Sequence, residues 1–151
     1  MTRRRDRPPA RWPESLFVYG TLLFADIVRA LIGRVPDRTA ASAAGWRAAA
    51  LPGLAYPGLV RAPGATADGL LLTGLTPAEW QVIDAFENGG YDLAEVALVD
   101  GRSGWAYTWA ADIAPLPEDW SAEEFAVRHL ADYVARCAAW RRGHRAASDD
   151  G

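Results

Sequence analysis

Strand-like runs stand close together in this chain, and that spacing limits its fold more than any other feature. Residues 91–99 and 104–110 are separated only by a turn at Asp100-Gly101. Pro52-Gly53 and Pro57-Gly58 mark turns between a strand-rich stretch at 39–50 and an apolar run at 67–75. Parallel neighbours need a crossover of about a dozen residues or more, so gaps this short argue against regular βαβ units. An α+β fold follows, with about six strands and three helices. The strands would form a small mixed or antiparallel β-barrel, and the helices would flank it.

The helices announce themselves by local grammar. Residues 24–32 place Ile27, Val28, Leu31 and Ile32 on one face, and Gly33 is a natural stop. Thr76 is a good N-cap, Pro77 fits the first helical position, and Glu79 completes a capping box. That helix should end near Asn88-Gly89-Gly90. After a Pro-rich loop at 112–120, Ser121 and Glu124 form a second capping box. Phe125, Leu130, Tyr133, Val134 and Cys137 then line one face. The first strand, Ser15–Thr21, is apolar along its length and reads as buried. The folded domain should span 15–142, with 1–14 and 143–151 as flexible tails.

Composition removes several kinds of chemistry. The net charge is −3, which argues against a nucleic-acid-binding face. All 16 basic residues are Arg, and the only basic cluster is Arg3, Arg4, Arg5, Arg7 and Arg11. Pro8, Pro9 and Pro13 follow it instead of an apolar stretch, so it is not a signal peptide. No apolar run is long enough for a membrane helix, and a cytoplasmic location is the default expectation. The single cysteine, Cys137, precludes an internal disulfide. With His129 and His144 it makes too thin a set for a metal, and no cofactor is called for. Without Lys there is neither a P-loop nor a lysine Schiff base.

Glu87 is the most informative remaining residue. It lies seven residues after Trp80, about two helical turns, with Ile83 on the same face. If Trp80 and Ile83 pack inward, Glu87 points the same way. A carboxylate there has its pKa raised by burial, which suits a general base near neutral pH. The bland alternative is a fraying helix end turned to solvent. Asp84, about 40° from Trp80, is the nearest competitor for the same pocket. The second feature is Tyr19-Gly20-Thr21-Leu22, where the first strand gives way to the first helix. Its Gly permits a close backbone approach, and amides that open a helix can hold a carboxylate. An ordinary strand-to-helix turn would look the same.

Together these blocks resemble the gamma-glutamylcyclotransferase-like, or AIG2-like, family. Phe17-Val18-Tyr19-Gly20-Thr21-Leu22 is similar to its N-terminal Tyr-Gly-Ser/Thr-Leu signature. Tyr56-Pro57-Gly58 matches a Pro-containing strand start. Leu72-Thr73-Gly74-Leu75, before a Thr-Pro-Ala-Glu helix start, resembles its central block. Ile83-Asp84-Ala85-Phe86-Glu87 followed by Tyr91 resembles its Asp-x-x-Glu…Tyr segment. The resemblance spans about 15–110. It implies one cavity, Glu87 as catalytic acid/base, and a glutamyl-binding loop at Tyr19, Gly20, Thr21 and Leu22. It also implies pocket tyrosines at Tyr91 and Tyr107. The implied reaction closes a small-molecule gamma-glutamyl amide to 5-oxoproline and releases an amine or amino acid, without a metal. The alternative is a non-catalytic module that holds a small carboxylated metabolite in the same pocket. One departure stands out. Family members commonly carry Tyr-x-Arg after the Glu, whereas this chain has Tyr91-Asp92-Leu93. The helix after 120 lies beyond the usual core and could cover the pocket or form a homodimer face.

Overall fold

A computed structural model describes residues 12–87 and 89–150, with side chains to 144. The expected N-terminal Arg cluster therefore lies outside the described residues, as does Asn88 of the expected helix end. The element order is β1 (Ser15–Val18), a 3-10 turn (Thr21–Leu23), α1 (Ala25–Ile32), β2 (Asp37–Ala49) and β3 (Gly58–Thr73). It continues with α2 (Pro77–Phe86), β4 (Tyr91–Ala97), β5 (Ser103–Trp109), α3 (Ala122–Arg128) and α4 (Leu130–Asp150).

One mixed sheet runs in the order β2-β3-β1-β5-β4. β1 sits at its centre, antiparallel to β3 (Phe17↔Leu71) and parallel to β5 (Leu16↔Trp105). Both faces of β1 are covered, which is why Leu16–Val18 is apolar without alternation. Leu16 and Val18 face a core shared with Ile27, Leu31, Trp80 and Ile83. Phe17 and Tyr19 face a second core with Leu59, Leu71, Val96 and Ala106, inside the curl of the sheet. Each fully buried large apolar side chain contributes about 1.5–3 kcal/mol, so this four-residue strand anchors far more than its length suggests. Gly69 of β3 allows the close β1 contact, since an added Cβ would lie 2.1 Å from the Val18 carbonyl oxygen.

The expected closed barrel is corrected to an open, curled sheet. The β2 edge approaches the end of β4 through an isolated bridge, Ala43↔Leu98, and no continuous ladder joins the two edges. Among the described residues the strand count is five instead of six. Pro57-Gly58 is no turn but leads directly into β3, which then runs sixteen residues through Pro63-Gly64. A register shift opposite Ala44 and Trp46 absorbs that segment, with Gly45 (φ 83°) and Gly64 (φ 87°) in left-handed conformations. Such bulges raise local twist, and the long β2–β3 hairpin wraps round the core as a result.

Among the described residues the α-helices number four instead of three. The last helical stretch breaks at His129 (φ −129°), and its second part continues through the polar stretch from Gly143 to Asp150. The expected α2 grammar is present in full: Thr76 Oγ1 accepts from Glu79 N at 3.2 Å, and Glu79 Oε1 accepts from Thr76 N at 2.9 Å. At α3 only half of the box forms. Ser121 Oγ accepts from Glu124 N at 3.1 Å, while the Glu124 carboxylate turns to Arg128 at 3.5 Å. α4 packs across α1, where Arg141 Nε donates to the Leu31 carbonyl at 2.9 Å. Phe86, near the end of α2, meets Tyr133 and Trp140 of α4 edge-on.

Candidate active site

β1 runs out at Tyr19-Gly20, and the chain turns at once into the 3-10 turn. Its first internal bond comes from Leu23 N to Gly20 O at 3.0 Å, so the amides of Thr21 and Leu22 precede the ladder. Gly20 is required by packing, because an added Cβ would lie 2.8 Å from Pro57 Cγ. This turn, the end of α2 and the loops flanking β3 and β5 enclose a cavity of about 390 Å³. That lies at the small end of the usual range for small-molecule sites.

Glu87 is the C-cap residue of α2 and keeps a helical backbone (φ −82°, ψ −2°), its amide bonded to Ile83 O at 3.0 Å. The side chain is half-buried and lines the cavity together with Thr21, Tyr19, Tyr91 and Tyr133. The Trp80 and Ile83 anchors of the same helix are each 1% exposed. The charge of Glu87 is felt by its neighbours. Tyr19, Tyr91 and Tyr133 all have pKa values pushed above the usual phenol value, by burial first, with the Glu87 carboxylate adding a Coulombic push to each. Cys137 is pushed up to about 12 by burial and then by Glu87. It is 1% exposed and stays a packed thiol, as its place on an apolar helix face implies.

All six residues of the expected substrate-binding set border the cavity. The hydrogen bonds of the tyrosines among them refine what they can do. Tyr19 Oη donates to the Tyr107 carbonyl at 2.5 Å and accepts from Leu59 N at 3.3 Å. Tyr91 Oη donates to the Pro57 carbonyl at 2.7 Å. Tyr107 Oη donates to Asp84 Oδ1 at 2.9 Å, which ties Asp84 to β5 and away from the cavity lining. A phenol has one proton, and in these three it goes to the protein, so they build walls and can at most accept from a ligand.

Tyr133 is the residue that sequence reasoning assigned to the core alone. It lines the cavity, and its phenol is pushed above the usual value by burial first and then by the Glu87 charge. Tyr56 was quoted only as part of a strand start, and it too lines the cavity, 6.3 Å from the Tyr91 ring. No group of three His, Cys, Asp or Glu suited to a metal occurs among the described residues. Leu93, at the place where an arginine is common in the resembled family, is 4% exposed and packs in the core.

Residues 16–124 match the sequence model of the family described as gamma-glutamyl cyclotransferase, AIG2-like. The chain belongs to that family. Within it, AIG2-like protein D of Arabidopsis thaliana is 31% identical over 127 residues, covering 80% of this chain and 84% of that protein. The solution structure of an Arabidopsis thaliana protein is similar at a TM-score of 0.64 and 24% identity, over 85% of this chain and 90% of that one. A structure titled gamma-glutamyl cyclotransferase is similar at a TM-score of 0.53 and 15% identity, over 83% and 86% of the two chains. Identity at that level speaks for the fold. The family includes gamma-glutamyl cyclotransferases and AIG2-like proteins, and the mixed α+β fold described above matches its solved structures. No described helix is long and apolar enough to cross a membrane.

Proposed function

We propose that this protein cyclises a gamma-glutamyl amide to 5-oxoproline and releases an amine, with Glu87 as general acid/base. One observation carries the reading: Glu87 borders the same cavity as the Gly20–Leu22 turn, in a half-buried position held by a helix end. The substrate's α-carboxylate would sit on the amides that open the 3-10 turn, with the Thr21 hydroxyl beside it. The Glu87 carboxylate would take a proton from the α-amine as its nitrogen attacks the γ-carbonyl carbon. A five-membered ring forms through the new C–N bond. Glu87 then returns the proton to the leaving nitrogen, the old amide C–N bond breaks, and the amine departs.

Atoms balance without water or any co-reactant. Attacking amine and carbonyl belong to one molecule, so holding the substrate in a folded pose supplies much of the acceleration. The cavity walls are suited to that task because Tyr19, Tyr91 and Tyr107 are each fixed by hydrogen bonds to other elements.

The test is a product screen. Wild-type protein incubated with a panel of gamma-glutamyl amides and dipeptides should release 5-oxoproline from at least one. If none is released while the same compounds bind, the protein is a carboxylate-binding module and the catalytic reading falls.

A further inference from the structure

Asp84 stands close before Glu87 on α2 and takes no part in the proton transfers proposed above. At about 100° per residue the two side chains lie about 60° apart around the helix. Asp84 does not line the cavity. It reaches the sheet instead, where its Oδ1 accepts from Tyr107 Oη at 2.9 Å. Tyr107 is 4% exposed and belongs to the core that α2 covers with Trp80 and Ile83. A phenol at that depth needs an acceptor, and a carboxylate is a stronger one than a neutral oxygen.

The line of bonds does not stop at Tyr107. The Tyr107 carbonyl accepts from Tyr19 Oη at 2.5 Å, and Tyr19 Oη in turn accepts from Leu59 N at 3.3 Å. Tyr19 directly precedes Gly20, so it is the stem of the turn proposed to hold the α-carboxylate. Asp84 of α2, Tyr107 of β5, Tyr19 at the end of β1 and Leu59 of β3 are thus tied in sequence. One end of the line lies beside Glu87, and the other fixes the stem of the turn. A general base works from hydrogen-bond distance, and a misplacement of about 1 Å can cost about 10²-fold in rate. Trp80 and Ile83 hold α2 down by apolar burial, which has no direction. A hydrogen bond also sets direction.

Resting on the cyclotransferase reading, we infer that Asp84 is a positioning residue: through Tyr107 it sets the Glu87 end of α2 against the Gly20–Leu22 turn. The competing account is that Asp84 only satisfies a buried hydroxyl. The two differ in what removal of both partners does. Asp84→Ala/Tyr107→Phe leaves neither polar group without its mate, so a role in satisfaction alone predicts recovery of both stability and rate. Positioning predicts that stability returns and rate does not.

The experiment measures kcat and KM for 5-oxoproline release from the fastest substrate in the panel of gamma-glutamyl amides and dipeptides. Urea midpoints and amide hydrogen exchange are measured on the same proteins. Asp84→Ala should lower kcat about ten- to a hundredfold, with KM changed less than about threefold. Asp84→Asn keeps an acceptor oxygen and should return kcat to within about threefold of wild type. The double variant should have the wild-type urea midpoint and remain as slow as Asp84→Ala. In Asp84→Ala the amides of Leu59 and Glu87, at the two ends of the line, should exchange about fivefold faster or more, while the Gly33 amide stays within about twofold. A kcat for Asp84→Ala within about twofold of wild type, or a double variant with wild-type kcat, overturns the inference and leaves the catalytic reading standing. If nothing in the panel is turned over, the catalytic reading falls and exchange alone decides the coupling. Faster exchange at both amides then sustains it, and unchanged exchange overturns it.

Discussion

At the scale of single residues, the site divides its tyrosines by where their protons go. Tyr19, Tyr91 and Tyr107 spend theirs on protein acceptors, whereas the Tyr133 phenol borders the cavity and feels the Glu87 charge. Tyr133 therefore lies in the cavity within electrostatic reach of Glu87, where the proton transfers would occur. Tyr133→Phe should lower kcat for 5-oxoproline release about tenfold while costing only about 1 kcal/mol in urea unfolding. A kcat within twofold of wild type would show that the hydroxyl only packs. The spacing of Trp80, Ile83 and Glu87 made Glu87 legible in the sequence, since helical periodicity states which residues share a face. The same periodicity hid Tyr133. It shares a face with Phe125 and Cys137, and nothing in a period tells which part of an apolar face opens onto a cavity.

At the scale of elements, local grammar was readable and long-range shape was not. The Thr76-Pro77-Ala78-Glu79 start and the Gly33 stop belong to a few neighbouring residues, and both stand where the sequence put them. β3 escaped because Pro57-Gly58 reads as a turn, and its apolar run is recognisable only from 67 onward. Whether a Pro-Gly pair ends a strand or bends it depends on the partner strand, here β2, which supplies Gly45 opposite the bend. The break between α3 and α4 at His129 is equally silent, since no Gly or Pro marks it. Gly69 gives a test of how β1 is held. Gly69→Ala puts a Cβ against the Val18 carbonyl oxygen at 2.1 Å, a backbone atom that cannot step aside without parting β1 from β3. Thermal unfolding should show a loss at or above the ~1–3 kcal/mol typical of overpacking. A melting curve that matches wild type would contradict the close approach.

At the scale of the whole molecule, one cavity is lined by β1, the end of α2, β5 and α4, and Glu87 there is neighboured by buried acids that titrate late. Burial raises Tyr19, Tyr91 and Tyr133 above 10.0 and Cys137 above 9.0. Each folded-state pKa exceeds its unfolded value, so the stability these groups allow is intact below the unfolded values and is lost as pH rises through the window above them. The urea midpoint should stay level from about pH 7 to 8.5 and fall steadily above about pH 9–10. A midpoint unchanged to about pH 11 would mean that these groups are not buried in solution. Composition had already narrowed the chemistry at this scale. A Lys-free chain with one packed cysteine leaves a carboxylate, a tight turn and phenols as its reactive groups, and the fold gathers those around one space.

The central claim is that Glu87 moves the protons of ring closure. Glu87→Gln keeps the shape and removes the base. It is best measured for 5-oxoproline release and for substrate binding on the same preparation. The account predicts a fall in kcat of about 10²–10⁴-fold with the dissociation constant changed only a few-fold. A Glu87→Gln protein that turns over at the wild-type rate would contradict it.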